Sequence, residues 1–319
     1  MGMDPESVVG SIGFNSAEYF FAIQGTWLAG CVPAGIYTTN SPEACHYVLY
    51  HSEAQICLCQ GGKNAEKIAS IRESLPKLKA IIVYWPKDGV PKVEEKPGLA
   101  KVMTWDQWMD VGKDVSDSVV RERVANVKPG NCATLIYTSG TTVGVVEESH
   151  RQGNPKAVMC SHDGCIYNIK NTPYYIHSDY PENRFVSYLP MNHIAAQFVD
   201  IMMPINSPIT VYIAAPDALR GSLVTTMRKA RPTFFVGVPR VWEKFAETLK
   251  STFAQSSVSP LLASHLQYLK SWLISWFQSI GTAKCLSQQY GETPYIPYFY
   301  AFAKRKLFDP IKEKLGLDK

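Results

Sequence analysis

Two short runs carry the residue types that phosphate chemistry needs. "YTSGTT" spans 137–142 and "GNPK" spans 153–156, with ten residues, Val143–Gln152, between them. Read as if joined, Thr138, Ser139, Gly140, Thr141, Thr142, Gly153 and Lys156 offer what a polyphosphate wants. Glycines let backbone N–H groups approach the oxygens, hydroxyls donate hydrogen bonds, and the lysine adds a positive charge. The string is not a Walker A loop, since no GK[ST] follows the glycine spacing. A Ser/Thr/Gly run taken alone is usually only a turn, and that reading stands beside the first. A second candidate is His193 in "SYLPMNHIAAQ", although a lone histidine in an apolar stretch is more often a satisfied structural residue. Arg240 and Trp242 in "VGVPRVWEKF" form a third, where the plainer account is an amphipathic helix start with a packed tryptophan.

Those residues need rigid elements to hold them. Short apolar runs alternate with helical patterns, which predicts an α/β layered architecture. Residues 16–30 read as a helix capped by Ser16 or Asn15, with Glu18 in its first turn, and a second helix lies near 43–50. "AQICLC" (54–59) and "AIIVYW" (80–85) read as buried strands flanking the helix "NAEKIASIRESL", a βαβ pattern. The polar stretch 86–130 reads as a surface loop followed by a short helix at "TWDQWMDVGKDV". "NCATLIYTSG" then supplies a strand running straight into the loop, and Ser161 or Asp163 in "CSHDG" caps the helix beyond it. Further on come the strand "ITVYIAA", a helix at 218–229, and a segment at 254–300 rich in Ser, Gln and aromatics that reads as inserted helix and loop.

Composition narrows the classes. The 319 residues are 46% apolar, enough for a sizeable core. Lys and Arg number 32 against 28 Asp and Glu, an excess of four with no dense basic block, which does not predict nucleic-acid binding. Eight cysteines stand at irregular positions without a CxxC pair, so reduced thiols in the cytoplasm are expected and no metal site. No uninterrupted apolar run reaches the length of a spanning helix. "SWLISWFQSI" and the aromatic, basic stretch "YIPYFYAFAKRKLF" suit either core helices or a peripheral contact at the surface of the endoplasmic reticulum or another membrane.

Deleting Val143–Gln152 gives "YTSGTTGNPKAV", which resembles the signature of the adenylate-forming superfamily of acyl-CoA synthetases, luciferases and peptide-synthetase adenylation domains. "FNSAEYFFAIQGTWLAGCVPAGIYTTNSPEACHYV", "VMCSHD", "SYLPMNHIAAQ" and "VGVPRVWEKF" narrow the resemblance to the bubblegum-type long-chain fatty acyl-CoA synthetases. The likeness runs over nearly the whole chain and is weakest at 86–125 and 254–300. It implies part of an N-terminal adenylating domain with Rossmann-like layered subdomains. Residues 1–175 would form the first α/β subdomain with the phosphate loop and its insert 143–152, and 176–319 an incomplete second one with the fatty-acyl segments.

The implied chemistry is activation of a long-chain fatty acid by Mg2+-ATP to an acyl-adenylate, then transfer to CoA. By the same resemblance Thr138, Ser139, Gly140, Thr141, Thr142, Gly153 and Lys156 surround the β and γ phosphates, with Lys156 the principal charge. His193 would lie beside the adenylate and the carboxylate, Arg240 would support the site, and Trp242 would stand at the gate of the acyl tunnel. An aryl- or amino-acid-activating relative is disfavoured by "GVPRVWEK" and "PEACHYV".

The family's adenine-stacking motif, ribose-binding aspartate and C-terminal lid would all lie beyond Lys319, and both ends read as cut. The expectation is a chain inactive by itself and poorly soluble, with open sheet edges. The rival is a non-catalytic product that binds fatty acid, a membrane surface or the full-length enzyme. The insert starts with Val, whose codons begin GT, and ends with Gln, one of whose codons ends AG. A short intron left in frame would read this way, and a genuine loop extension would too.

Overall fold

In the computed structural model, residues 2–138, 155–175, 182–254, 263–289 and 296–318 are described. The apolar runs become strands β1 (Val8–Ile12), β2 (Val32–Ile36), β3 (Ile56–Gln60) and β4 (Ala80–Tyr84), joined by β5 (Lys101–Thr104), β6 (Cys132–Thr138) and β7 (Lys156–Ser161). Together they form one sheet in the order β5-β4-β3-β1-β2-β6-β7. Every neighbouring pair is parallel except β6–β7.

Strand side chains alternate between two cores, which is why these strands read as continuous apolar runs. Cys57, Cys59, Ile81 and Val83 face one core, while Ile56, Leu58, Ala80, Ile82 and Tyr84 face the other. The first core is closed by α2 (Pro42–His51) through Cys45, Val48 and Leu49, and by α3 (Lys63–Ile71) through Ala65 and Ile68. Tyr19, Ala22 and Ile23 of α1 (Ala17–Leu28) help close the second.

The helix starts are chemically marked. Ser16 accepts from the Tyr19 N–H and Ser41 from the Ala44 N–H, with Pro42 at the first helical position. At α4 (Trp105–Gly112), Thr104 and Gln107 satisfy each other's backbone N–H groups as a capping box. α5 (Asp117–Asn126) follows, and neither it nor β5 is anticipated from the sequence. β5 has only four residues without an apolar run and exists because it pairs with β4, while the charged α5 buries none of its residues. α6 (His162–Tyr175) starts after Ser161, whose hydroxyl accepts the Gly164 N–H at 3.4 Å in the N-cap position, while Asp163 lies inside the first turn and accepts the same N–H at 2.8 Å.

The chain divides into two compact units, residues 1–182 with 187–216, and residues 183–186 with 217–319. β8 (Asn183–Ser187) runs from the second into the first, which then holds α7 (Ile194–Ala196), a π-helical turn at Gln197–Met202, α8 (Met203–Asn206) and β9 (Ile209–Ile213). The second unit contains α9 (Leu223–Ala230), α10 (Pro239–Ala254), α11 (Ala263–Gln289), α12 (Tyr300–Ala303) and α13 (Asp309–Leu315). Gly316 ends α13 in the left-handed region, and a Cβ there would lie 2.4 Å from the Met227 carbonyl oxygen, so only glycine lets α13 close on α9. Among the described residues, no helix is long and apolar enough to cross a membrane.

All eight cysteines are free. Burial pushes the Cys45 thiol up to about 12 and raises Cys59 as well, so these are core thiols rather than reactive ones.

Candidate functional site

Because β1, β2 and β6 are parallel, their carboxyl ends point the same way. The chain passes from β1 to β2 on one side and then to β3 on the other, the kind of reversal at which open α/β sheets bind ligands. Three groups gather at those ends: Thr138 closing β6, the Asn192–His193 segment over β2, and Asn15 just past β1.

Thr138 and Lys156 stand directly opposite each other in the β6–β7 ladder, whose register continues through Tyr137–Ala157 and Ile136–Val158. The ten extra residues therefore do not carry the lysine backbone away from the end of β6. Lys156 is exposed and makes no ion pair with any described residue. Ser139, Gly140, Thr141, Thr142 and Gly153, with the whole insert, lie outside the described residues.

His193 is exposed and caps α7, its Nδ1 accepting the Ala195 N–H at 3.2 Å. With Nδ1 occupied as an acceptor, the neutral ring carries its hydrogen on Nε2, which remains available as a donor. The helix cap thus uses only one of the two ring nitrogens. The preceding Asn192 rests on β2 at Gly35, where an added Cβ would lie 2.5 Å from the Asn192 Cβ and 2.7 Å from its Cα.

Asn15 does more than the capping expected of it. Its Nδ2 donates to the Ser187 hydroxyl and to the Leu189 carbonyl, each at 2.8 Å, and its Oδ1 accepts the Met191 N–H at 3.1 Å. One buried amide so fixes the loop that leads into His193, while Ser16 alone caps α1. The Ser187 hydroxyl donates onward to the Asp200 carboxyl at 2.6 Å. Burial pushes Asp200 up to about 8, with the Ser187 bond acting in the opposite direction. In the same π-helical turn, Gln197 accepts from the buried Thr134 hydroxyl at 2.9 Å, tying the turn to the middle of β6. Asn192 Oδ1 and Gln197 Nε2 are buried without a hydrogen-bond partner among the described residues, a polar demand that native interiors seldom leave unmet.

Arg240 and Trp242 belong to the second unit. Arg240 is exposed at the start of α10. Trp242 donates from Nε1 to the Gly237 carbonyl at 3.0 Å and meets Phe235 and Phe245 edge-on at 5.5 and 5.9 Å. Sequence reading missed Thr134, Gln197 and Asp200 as parts of this network. The available signal was three polar residues inside otherwise apolar runs.

A model of the AMP-binding enzyme family matches residues 1–313. The chain belongs to that family. It is 41% identical to a long-chain-fatty-acid–CoA ligase, ACSBG2 of Xenopus laevis, across all of this chain and 40% of the relative. It is 36% identical to ACSBG2 of Homo sapiens, across all of this chain and 44% of that protein. The chain thus spans less than half the length of these curated relatives. Among solved structures, the adenylation domain of a carboxylate reductase from Mycobacterium chelonae has a TM-score of 0.59 at 19% identity, covering 81% of this chain and 39% of that one. The anthranilate CoA ligase AuaEII bound to anthranoyl-AMP has a TM-score of 0.55 at 18% identity, covering 73% and 40%. These structures share the fold of this AMP-binding family member, a mixed α/β unit around a mainly parallel sheet.

Proposed function

We propose that this chain is the phosphate- and acyl-site portion of a bubblegum-type long-chain fatty acyl-CoA synthetase, an AMP-forming ligase. The observation that carries the reading is the opposition of Thr138 and Lys156 across the mouth of the loop whose two halves form the phosphate signature. The names of the full-length relatives support the substrate class.

In the reaction, a fatty-acid carboxylate oxygen bonds to the α-phosphorus of ATP while the bond to pyrophosphate breaks. Charge grows on the leaving group, and fixed donors that meet it lower the barrier. Lys156 supplies the positive charge, and Thr138 with Ser139, Gly140, Thr141, Thr142 and Gly153 supplies hydroxyl and N–H donors. His193 needs no base role, because the attacking carboxylate is already ionised. Its Nε2–H instead orients an oxygen of the carboxylate or the adenylate. The donor set suits a polyanion. Among the described residues no cluster of His, Cys, Asp and Glu is built to hold a metal. Mg2+ would enter with the ATP, and it and CoA belong to the whole enzyme. Arg240 supports the acyl site, Trp242 covers its entrance, and the fatty acid reaches it through peripheral contact with a membrane.

Titration calorimetry of the chain with Mg2+-ATP tests the reading. A charge-assisted contact contributes about 1.5–3 kcal/mol, so Lys156→Ala weakens binding roughly tenfold to a hundredfold. A wild-type chain that takes up no ATP, or a variant that binds equally well, overturns it.

A further inference from the structure

The inner side of the helical pair in the second unit is closed: Phe277 and Ile280 of α11 pack with Ala303 and Leu307. Its outer side is open and aromatic. Trp272, 55% exposed, lies parallel to Trp276 at 6.1 Å; Trp276 touches Phe299 at 5.2 Å, and Phe299 meets Tyr298 at 5.0 Å. Tyr298 is 91% exposed and Phe302 52% exposed. The ring contacts run from Trp272 through Trp276 and Phe299 to Tyr298, with Trp276 also packed on the inner cluster and Phe302 meeting Phe277, and exposed aromatic runs of that kind mark interaction surfaces.

The two segments that carry this aromatic ridge hold cations and no acidic residue of their own, with Asp309 following directly after Phe308. Neither α11 nor residues 296–308 contain an aspartate or glutamate, while Lys270, Lys284, Lys304, Arg305 and Lys306 all fall within them. Lys304 is held by Asp309 at 2.9 Å and Lys284 sits over the Tyr300 ring. Arg305 and Lys306 are exposed and make no ion pair with a described residue. Lys306 follows Phe302 by four positions, so ring and cation share a side of the segment.

We infer that this ridge is the membrane contact of the protein, seated in the headgroup region of an anionic lipid leaflet. Tryptophan and tyrosine present an apolar body with a polar tip, which suits that boundary, and Arg305 and Lys306 face the lipid phosphates. The inference rests on the peripheral membrane contact proposed above and assigns it to residues. An apolar protein partner would bury the rings equally well but would leave the unopposed cations without a role.

The test is cosedimentation of the purified chain with vesicles of phosphatidylcholine plus phosphatidylserine, and with phosphatidylcholine alone. The wild type binds the anionic vesicles and is released by salt. Arg305→Glu/Lys306→Glu and Trp272→Ser/Tyr298→Ser each lower the partition coefficient about tenfold or more while the melting curve is unchanged. Brominated lipids, which need no variant, quench the wild-type tryptophan fluorescence.

If the wild type binds neither vesicle, the peripheral-contact reading and this inference fall together. If folded variants bind undiminished, or binding brings no quenching, the ridge is the wrong surface and the wider reading survives. A dimer without lipid binding, broken by Trp272→Ser/Tyr298→Ser, reassigns the ridge to a second copy of the chain. ATP binding is untouched by any of these results.

Discussion

Single residues set the chemistry of the site through their neighbours. His193 spends one nitrogen on a helix cap and keeps the other as a donor, and Asn15 fixes the loop before it with three hydrogen bonds. Asp200, at the end of that chain, makes stability depend on pH. Its carboxyl ionises near 3.8 when unfolded and at about 8 when buried. Between those values the folded chain keeps a proton that the unfolded chain has released. Stability from this group is complete below the lower value and is lost as pH rises to the upper one, at up to about 1.4 kcal/mol per pH unit. Asp200→Asn keeps an acceptor for Ser187 and has no proton to lose. Its melting temperature therefore falls less than that of wild type between about pH 5 and about pH 8. Parallel melting curves across that range would remove Asp200 from the account.

At the scale of elements, the β6–β7 hairpin decides whether the insert matters. The ladder keeps Lys156 opposite Thr138, so the two ends of the loop stay together. Gly153, by contrast, is separated from Thr142 by ten residues, and successive N–H groups aim at one phosphate only when they are contiguous. Removing Val143–Gln152 therefore tightens Mg2+-ATP binding, read by the same calorimetry, while Lys156→Ala in the shortened loop loosens it again. Equal affinity with and without the insert would show that the extra residues leave the phosphate donors intact.

At the scale of the whole molecule, large apolar side chains stand exposed among the described residues, Phe21, Tyr50 and Met159 included, on a chain of net charge +4. β7 is an edge strand of the sheet with Val158 and Met159 exposed, and beside it Met159, Phe198 and Met202 line an open groove of about 540 Å3. Natural edge strands are protected by charges, lysine above all. Met159→Lys accordingly lowers light scattering at a given protein concentration without lowering the melting temperature, since the side chain is 74% exposed. Scattering that is unchanged would place self-association elsewhere, with the aromatic ridge of α11 the next surface to alter.

Much of this was legible in the chain. Ser16 announces a helix start through a local hydrogen bond, and the apolar runs at 54–59 and 80–85 announce buried strands, because caps and side-chain period are properties of a few neighbouring residues. The two halves of the phosphate signature and the resemblance they carry were likewise visible in the order of residues. Tertiary structure alone decided the rest. β5 became a strand by pairing with β4, Lys156 met Thr138 through strand register, and Asn15 found its partners 172 to 176 residues away. Asp200 became a neutral acid only because packing removed its water. Such properties depend on which distant groups are brought together and desolvated, and local sequence specifies neither.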